Sequence, residues 1–574
     1  MGNGIGPGYV AALKRTLSGG RALPMPKVVK PAGKLSLFLG DYVHRPFSDT
    51  APVPIRTYWT TAPPSNGPAI EVSPLLIEVA QGQPLDIEFH NECSGGRPII
   101  DVYEHGGGGS FGRWDAPWRG HNAAMSRGDN GRAVVHLHGG LIPNGSDGFP
   151  VRLPTDTATF DAGETRTYHY SNDQPATLLW FHDHTMDHTS RNVYAGLAGL
   201  YVIRDKREAQ AGLPVGGTYE LPLLIADRTY SKDGHLLYGG MFDNPDPPAP
   251  HAQIPEFKGD VLTVNRAVQP VHEVAPRVYR LRILNGCTGR FVRLALRDGP
   301  GTTVDFTVIG TDAGFVADPS HAARTDVLSL APAERVDVLV DFGAVAGRTV
   351  HLINDVPQES SGPDAPCLEG NGGDSTHAGD DRLWRAMTFS VGVQPVGGPS
   401  IPSVLAAMSQ LELAAQRSPE FRARVAAARV PGTAPTRRFR LSELGGVGIR
   451  VPTAGGSTSE RLDWLPASAQ PVAEAVAAGA IEIWDIHNDS PDTHPMHIHQ
   501  CSFEVVSRTP DDPTTDPNWR IPWEVGAPKD VVKVPAGGIT RLVVEFGPNR
   551  GRAVWHCHIT EHEDAGMMRQ LFIS

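Results

Sequence analysis

Four His-x-His pairs carry most of the chemistry visible in this chain: His136/His138, His182/His184, His497/His499 and His556/His558. On a strand, residues i and i+2 face the same side, so each pair offers two imidazoles to one site. Imidazole suits copper, zinc, iron and nickel. One such pair alone reads equally well as packed or exposed structural histidines; four pairs at equivalent places in a repeated unit read as a metal site. Between His556 and His558 sits Cys557, whose side chain must point to the opposite face of the strand, and His562 and Met567 follow it. His494 opens the run His494-Pro495-Met496-His497-Ile498-His499. Two His, one Cys and a weak axial Met make the ligand set of a blue-copper electron-transfer centre, where soft sulfur ligands suit Cu(I) as well as Cu(II).

The elements that must position these residues recur. Leu85–Asn91, Val278–Asn285 and Ile481–Asn488 each alternate apolar and polar residues and end at Asn, which reads as a half-buried strand stopping at a turn. A second pattern follows each: Ala162-Gly163-Glu164-Thr165 to His184, Pro332-Ala333-Glu334-Arg335 to Asn354, and Pro535-Ala536-Gly537-Gly538 to His558. The expected fold is all-β, with three copies of one β-sandwich domain over 1–208, 216–394 and 437–574. Between them, in 395–436, the spacing of Val404, Leu405, Met408, Leu411 and Leu413 predicts a short helical connector over the surface. Copies one and three carry two His pairs each, whereas copy two has Leu352-Ile353-Asn354 where the later pair would stand. Eight imidazoles split evenly between two domains imply one multinuclear site at the interface of domains one and three, with domain two holding them in register. At two or three nitrogens per ion they correspond to about three metals.

Composition supports this architecture and excludes others. Gly 63 and Pro 51 make up about 20% of the 574 residues, against roughly 12% in average usage. A net charge of −12 without a basic stretch excludes the phosphate-neutralising surface of a nucleic-acid binder. No apolar run approaches the roughly 20 residues of a membrane helix. No Sec-type or twin-Arg segment is visible, which favours the cytoplasm and leaves a spore-coat or secreted mature form open. Five cysteines are too scattered for a disulfide scaffold; Cys501 reads as a small core residue, and a Cys287–Cys367 pair is left open. Two long loops, 93–132 and 358–381, interrupt the sandwich pattern and read as functional or as decoration.

His136-Leu137-His138-Gly139, Trp180-Phe181-His182-Asp183-His184, the His494–His499 run and the stretch His556–Met567 together resemble all four copper motifs of the three-domain multicopper oxidases, nearest to spore-coat-type laccases, bilirubin oxidases and phenoxazinone synthases. The resemblance covers essentially the whole chain and implies three cupredoxin-like Greek-key domains and four copper ions. By motif it assigns His494, Cys557, His562 and Met567 to a type 1 copper, and His136 and His497 to a type 2 copper. The type 3 pair would take His138, His182, His184, His499, His556 and His558. It further implies that donors deliver single electrons at a type 1 His near the surface, that Cys557 passes them to His556 and His558, and that O2 is reduced to two waters. Asp147 and Glu563 match acidic positions used there in proton supply; by themselves they read as a turn residue and a surface carboxylate.

The expected partners are a small aromatic reducing substrate and O2, in a laccase-like oxidase of phenols or aminophenols, with phenoxazinone synthase and bilirubin oxidase as alternatives. A cuprous or other metal-ion oxidase would favour a Met-rich segment, yet the 10 Met form no cluster. A non-enzymatic copper electron-transfer or storage protein is the weaker reading, since the eight-His site argues against a simple carrier, which needs only the type 1 set; copper nitrite reductase lacks the type 3 pair. Gly106 to Gly109 lacks the Lys-Ser/Thr of a phosphate-binding loop.

Overall fold

A computed structural model of the chain describes residues 21–574 apart from 48–50, 65–68, 94–98, 102–130, 151–158, 187, 231–234, 239–255, 260, 299–302, 317–322, 355–384, 415–416, 443–447, 451–473, 510–521, 525 and 565. The strands form three β-sandwiches, as expected. The three alternating segments become Leu85–Glu92, Val278–Asn285 and Ile481–Asn488. Each pairs in parallel with an earlier strand of its sheet, Lys34–His44, Glu220–Tyr230 and Arg437–Ser442 respectively. Each also pairs antiparallel with a later one, Thr165–Tyr170, Arg335–Asp341 and Ile539–Phe546. One wiring scheme is thus used three times.

The opposing sheets carry the second halves of the patterns. In the first sandwich the strand order is Lys27–Val29, Leu75–Ala80, Ala198–Arg204, Thr177–Asp183, Val135–His138. In the third it is Glu474–Val476, Met568–Ile573, Gly551–Cys557, His494–Ile498, Val531–Val534. Inward-facing residues close the layers: Leu39, Ile87, Phe89, Leu137 and Phe181 in the first sandwich, Leu281, Val292, Val338 and Leu352 in the second, and Trp484, Phe503, Val544 and Trp555 in the third. Cys501 is buried in that third core.

Some expectations are revised and others fall outside the described residues. Val278–Asn285 is buried along its whole length rather than half-buried. Its alternate residues Arg280 and Arg282 are both 0% exposed, because the segment leaving the first sandwich lays Glu208 over the sheet. Arg280 Nη1 and Arg282 Nη2 donate to Glu208 Oε2 at 2.6 and 3.0 Å, while Glu220 and Asp337 accept from Arg282 Nε and Arg280 Nη2, both at 2.6 Å. The helical connector consists of two helices, Ile401–Gln410 and Pro419–Ala428, each with a Ser cap and Pro in its first turn. Val404 and Met408 of the first pack on Ile309 and Leu339 of the second sandwich, and Phe421 and Val425 of the second pack on Ile483 and Val543 of the third. Cys287 is a buried free thiol, not half of a disulfide. Cys367, Gly106 to Gly109 and the loop 358–381 lie outside the described residues, as does most of 93–132. Among the described residues no helix is long and apolar enough to cross a membrane.

The Arg280–Arg282 network makes a direct stability prediction. Removing one member of a buried ion pair leaves its partner's charge uncompensated, at a cost of about 3–5 kcal/mol. Glu208→Ala is expected to lower unfolding stability by that order in denaturant titration, and an unchanged midpoint would show that the network contributes nothing.

Candidate metal centre

Each half of the site is a pair of adjacent antiparallel strands. Val135–His138 runs beside Thr177–Asp183 with His136 opposite His182. In the third sandwich His494–Ile498 runs beside Gly551–Cys557 with His497 opposite His556. The partner histidines two residues on, His184, His499 and His558, lie just past their strand ends. The two halves meet face to face. His136 stacks on His499 with ring centroids 3.9 Å apart, and His138 on His497 at 3.6 Å. All eight rings are at most 1% exposed.

The ligand-capable nitrogens fall into groups lying within 4.8 Å of one another: His138, His182 and His558; His184, His499 and His556; and His136 with His497 and His138. The rings are held from outside by acceptors. Nδ1 of His136, His182, His497 and His556 faces the carbonyls of Asp147, Asp183, Asp530 and Cys557 at 2.6, 2.8, 2.8 and 3.0 Å. His499 Nδ1 faces Asp147 Oδ2 at 3.0 Å, and His138 Nε2 faces Asp530 Oδ1 at 3.2 Å. A carbonyl or carboxylate only accepts, so the proton of each neutral ring sits on the nitrogen facing outwards. The other nitrogen then turns a bare lone pair inwards.

Those inner nitrogens have nothing to bond to in the protein. His136 Nε2, His138 Nδ1, His182 Nε2, His497 Nε2 and both nitrogens of His558 are buried without a hydrogen-bond partner. His499 Nε2 lies 3.3 Å from His184 Nε2 and 3.2 Å from His556 Nε2. Facing lone pairs repel unless a cation lies between them, so the donor set fits a metal, and neutral imidazole suits copper. Burial, reinforced by neighbouring imidazoles, holds the pKa of His136, His138, His182, His497, His499 and His558 well below the ordinary value. Burial also pushes His184 down, but the Glu563 carboxylate outweighs it and leaves its pKa raised.

A second group forms on the other face of the same strand. Cys557 Sγ lies 3.6 Å from His494 Nδ1 and 3.9 Å from His562 Nδ1, and the two nitrogens are 3.3 Å apart. The Ile559 N–H donates to the sulfur at 3.4 Å. His494 Nε2 is held by Ser490 Oγ at 2.7 Å. His562 Nε2 lies 3.3 Å from Glu256 Oε1 of the second sandwich, so this ring's outward edge is covered and the residue is only 3% exposed. Met567 is fully buried, and its backbone bonds to Cys557 N–H at 3.0 Å and to the His562 carbonyl at 2.8 Å.

The two acidic residues singled out from the sequence both reach this centre, and neither is a surface group. Asp147 touches His136 through its carbonyl and His499 through its carboxylate, which also accepts from Gln500 Nε2 at 2.8 Å. Glu563 Oε1 lies 3.0 Å from His184 Nδ1, and Oε2 lies 3.2 Å from His556 Nδ1. Burial pushes the Glu563 carboxyl up, but these two imidazoles prevail and hold it well below the usual carboxylate range. Sequence reading missed Asp530, Ser490 and Glu256. Only Ser490 carried a signal, a hydroxyl in the turn four residues before His494; the other two come from distant segments.

Comparison with known proteins agrees with this geometry. Family models described as multicopper oxidase match residues 128–208 and 453–574. A laccase of Bacillus subtilis is 34% identical over 460 residues, covering 77% of this chain and 80% of the relative. A bilirubin oxidase of Albifimbria verrucaria is 30% identical over 442 residues, covering 76% and 66%. The crystal structure of the McoA multicopper oxidase of Aquifex aeolicus superposes with a TM-score of 0.69 at 24% identity, covering 97% of this chain and 100% of that one, which speaks to the fold. The chain is an oxidoreductase of the multicopper oxidase family.

Proposed function

We propose that this protein is a laccase-like oxidase, coupling four one-electron oxidations of phenolic or aminophenolic donors to the reduction of O2 to two waters. In this reading His494, Cys557, His562 and Met567 hold a type 1 copper, and His136 and His497 a type 2 copper. His138, His182 and His558 hold one ion of the type 3 pair and His184, His499 and His556 the other, for four coppers in all. When bound, copper supplies the one-electron redox chemistry that imidazole, thiolate and carboxylate lack.

The observation that carries the proposal is the placement of Cys557 between His556 and His558. The thiol faces the sulfur-containing group on one side of the strand, while its two neighbours face the eight-imidazole group on the other. A single stretch of covalent backbone therefore joins the site that receives electrons to the site that spends them. Asp147 and Glu563 serve as proton carriers in this reading. Each is buried against the imidazoles, and Thr189 Oγ1, donating to Glu563 Oε1 at 3.0 Å, extends that side by one more hydroxyl. Electron-rich rings are favoured over metal ions as donors because the 10 Met form no cluster to bind Cu(I). Beside the sulfur-containing group, Tyr238, Tyr194 and Phe257 form an aromatic cluster, with the Tyr238 hydroxyl donating to Glu561 at 2.9 Å.

Two measurements test the reading. Cys557→Ser cannot supply a thiolate, so it is expected to abolish the intense blue absorption and donor oxidation while the eight imidazoles still take up copper; a blue variant would remove Cys557 from the type 1 set. Comparing kcat/KM for 2-aminophenol, a dimethoxyphenol, bilirubin and Cu(I) decides the donor class. The aromatic donors are expected to lead, and a tenfold preference for Cu(I) over every aromatic would make this a cuprous oxidase.

A further inference from the structure

The second sandwich supplies none of the eight imidazoles, yet one of its side chains reaches both halves of the site. Arg335 opens the strand Arg335–Asp341 and is 1% exposed. A guanidinium has five N–H donors in a rigid fork, and here every one is used. Nη1 and Nη2 grip Asp530 Oδ1 and Oδ2 of the third sandwich at 2.6 and 2.5 Å. Nε donates to the carbonyl of Leu178 in the first sandwich at 3.1 Å, on the strand that carries His182. The remaining two N–H groups go to Ala333 O at 3.1 Å and Asp312 O at 2.8 Å within the second sandwich. All three sandwiches thus converge on one side chain.

Asp530, the residue it grips, touches two rings. Its carboxylate oxygen Oδ1 lies 3.2 Å from His138 Nε2, and its carbonyl accepts from His497 Nδ1 at 2.8 Å. These two rings are the stacked pair that spans the interface between the first and third sandwiches. The contacts set opposite tautomers: His138 keeps its proton on Nε2 and turns Nδ1 inwards, while His497 keeps it on Nδ1 and turns Nε2 inwards. Both inward nitrogens are without partners. The fit against the His-Leu-His-Gly segment is close. Gly139 has φ of +83°, and a Cβ there would lie 2.8 Å from Arg335 Nη2 and would also strike Asp530 Oδ2.

We infer that Arg335 is a positioning residue for the eight-imidazole copper group, at the point where His138 of the type 3 set stacks on His497 of the type 2 set. By fixing both carboxylate oxygens of Asp530 it fixes the tautomer and aim of His138, and it anchors the residue whose backbone carbonyl holds His497 across the domain interface. This rests on the reading of those two rings as copper ligands. Arg335→Lys keeps the charge but replaces the fork with a single point of contact. Loss of an outer support of this kind weakens metal affinity by about 10–100-fold.

The test compares copper per chain, copper affinity and the type 2 electron paramagnetic resonance signal in the parent and in Arg335→Lys, with Asp530→Asn as a second variant should the first not fold. The expected result is a folded variant with its blue absorption intact, an altered type 2 signal and copper affinity lower by about 10–100-fold. A lower melting temperature with a parent-like type 2 signal and affinity would make Arg335 merely structural and overturn the inference alone. A parent that binds no copper at the imidazoles would overturn the underlying reading as well.

Discussion

Eight imidazoles buried together, six of them turned by outward acceptors so that a bare lone pair faces the neighbouring rings, are the constraint on which the rest of this structure depends. A buried nitrogen without a hydrogen bond costs free energy, and lone pairs 3.2–3.3 Å apart, as between His499 and its neighbours His184 and His556, add repulsion. Water satisfies single nitrogens, but a geometry that turns so many bare nitrogens towards one centre is that of cation ligands. The carbonyls and carboxylates around the rim do the aiming. They hold the protons outside.

Such a site cannot be built within one sandwich, because one pair of strands presents only four of the rings. It needs two sandwiches pressed together, and here the second sandwich bonds to both of them through Arg335. The seam between the second and third sandwiches is held by buried charge: Lys529 Nζ lies 2.9 Å from Asp312 and 3.0 Å from Glu334, and Lys533 Nζ lies 2.5 Å from Glu334. Buried ion pairs contribute little net stability relative to apolar packing, but they penalise any misregistered arrangement that separates them. That is the property required where a fraction of an ångström decides whether lone pairs converge. Burial pushes the Asp530 carboxyl up, and the Arg335 guanidinium opposes it.

The period-2 alternation of Val278–Asn285 and Ile481–Asn488 was enough to place both strands to the residue, and the His-x-His spacing placed two rings on one face in every case. Local signals of this kind survive folding because they depend only on strand geometry. Signals that depend on distant segments were not legible. Nothing near Asp530 or Glu256 announces that one will meet His138 and the other His562. Arg280 and Arg282 look like solvent-facing residues of an alternating strand until Glu208 is laid across them. The apolar spacing of 402–430 marked helix but not its division, since the break depends on each half finding a different sandwich to pack against.

The most direct measurement is an anomalous difference map collected at the copper absorption edge from crystals of the copper-loaded protein. Four peaks are expected, one beside Cys557 between His494 and His562 and three within the ring of eight imidazoles, of which one lies between His136 and His497. A single peak at Cys557 with none among the imidazoles, or peaks bound to residues outside both groups, would contradict the reading of this interface as a multinuclear copper site.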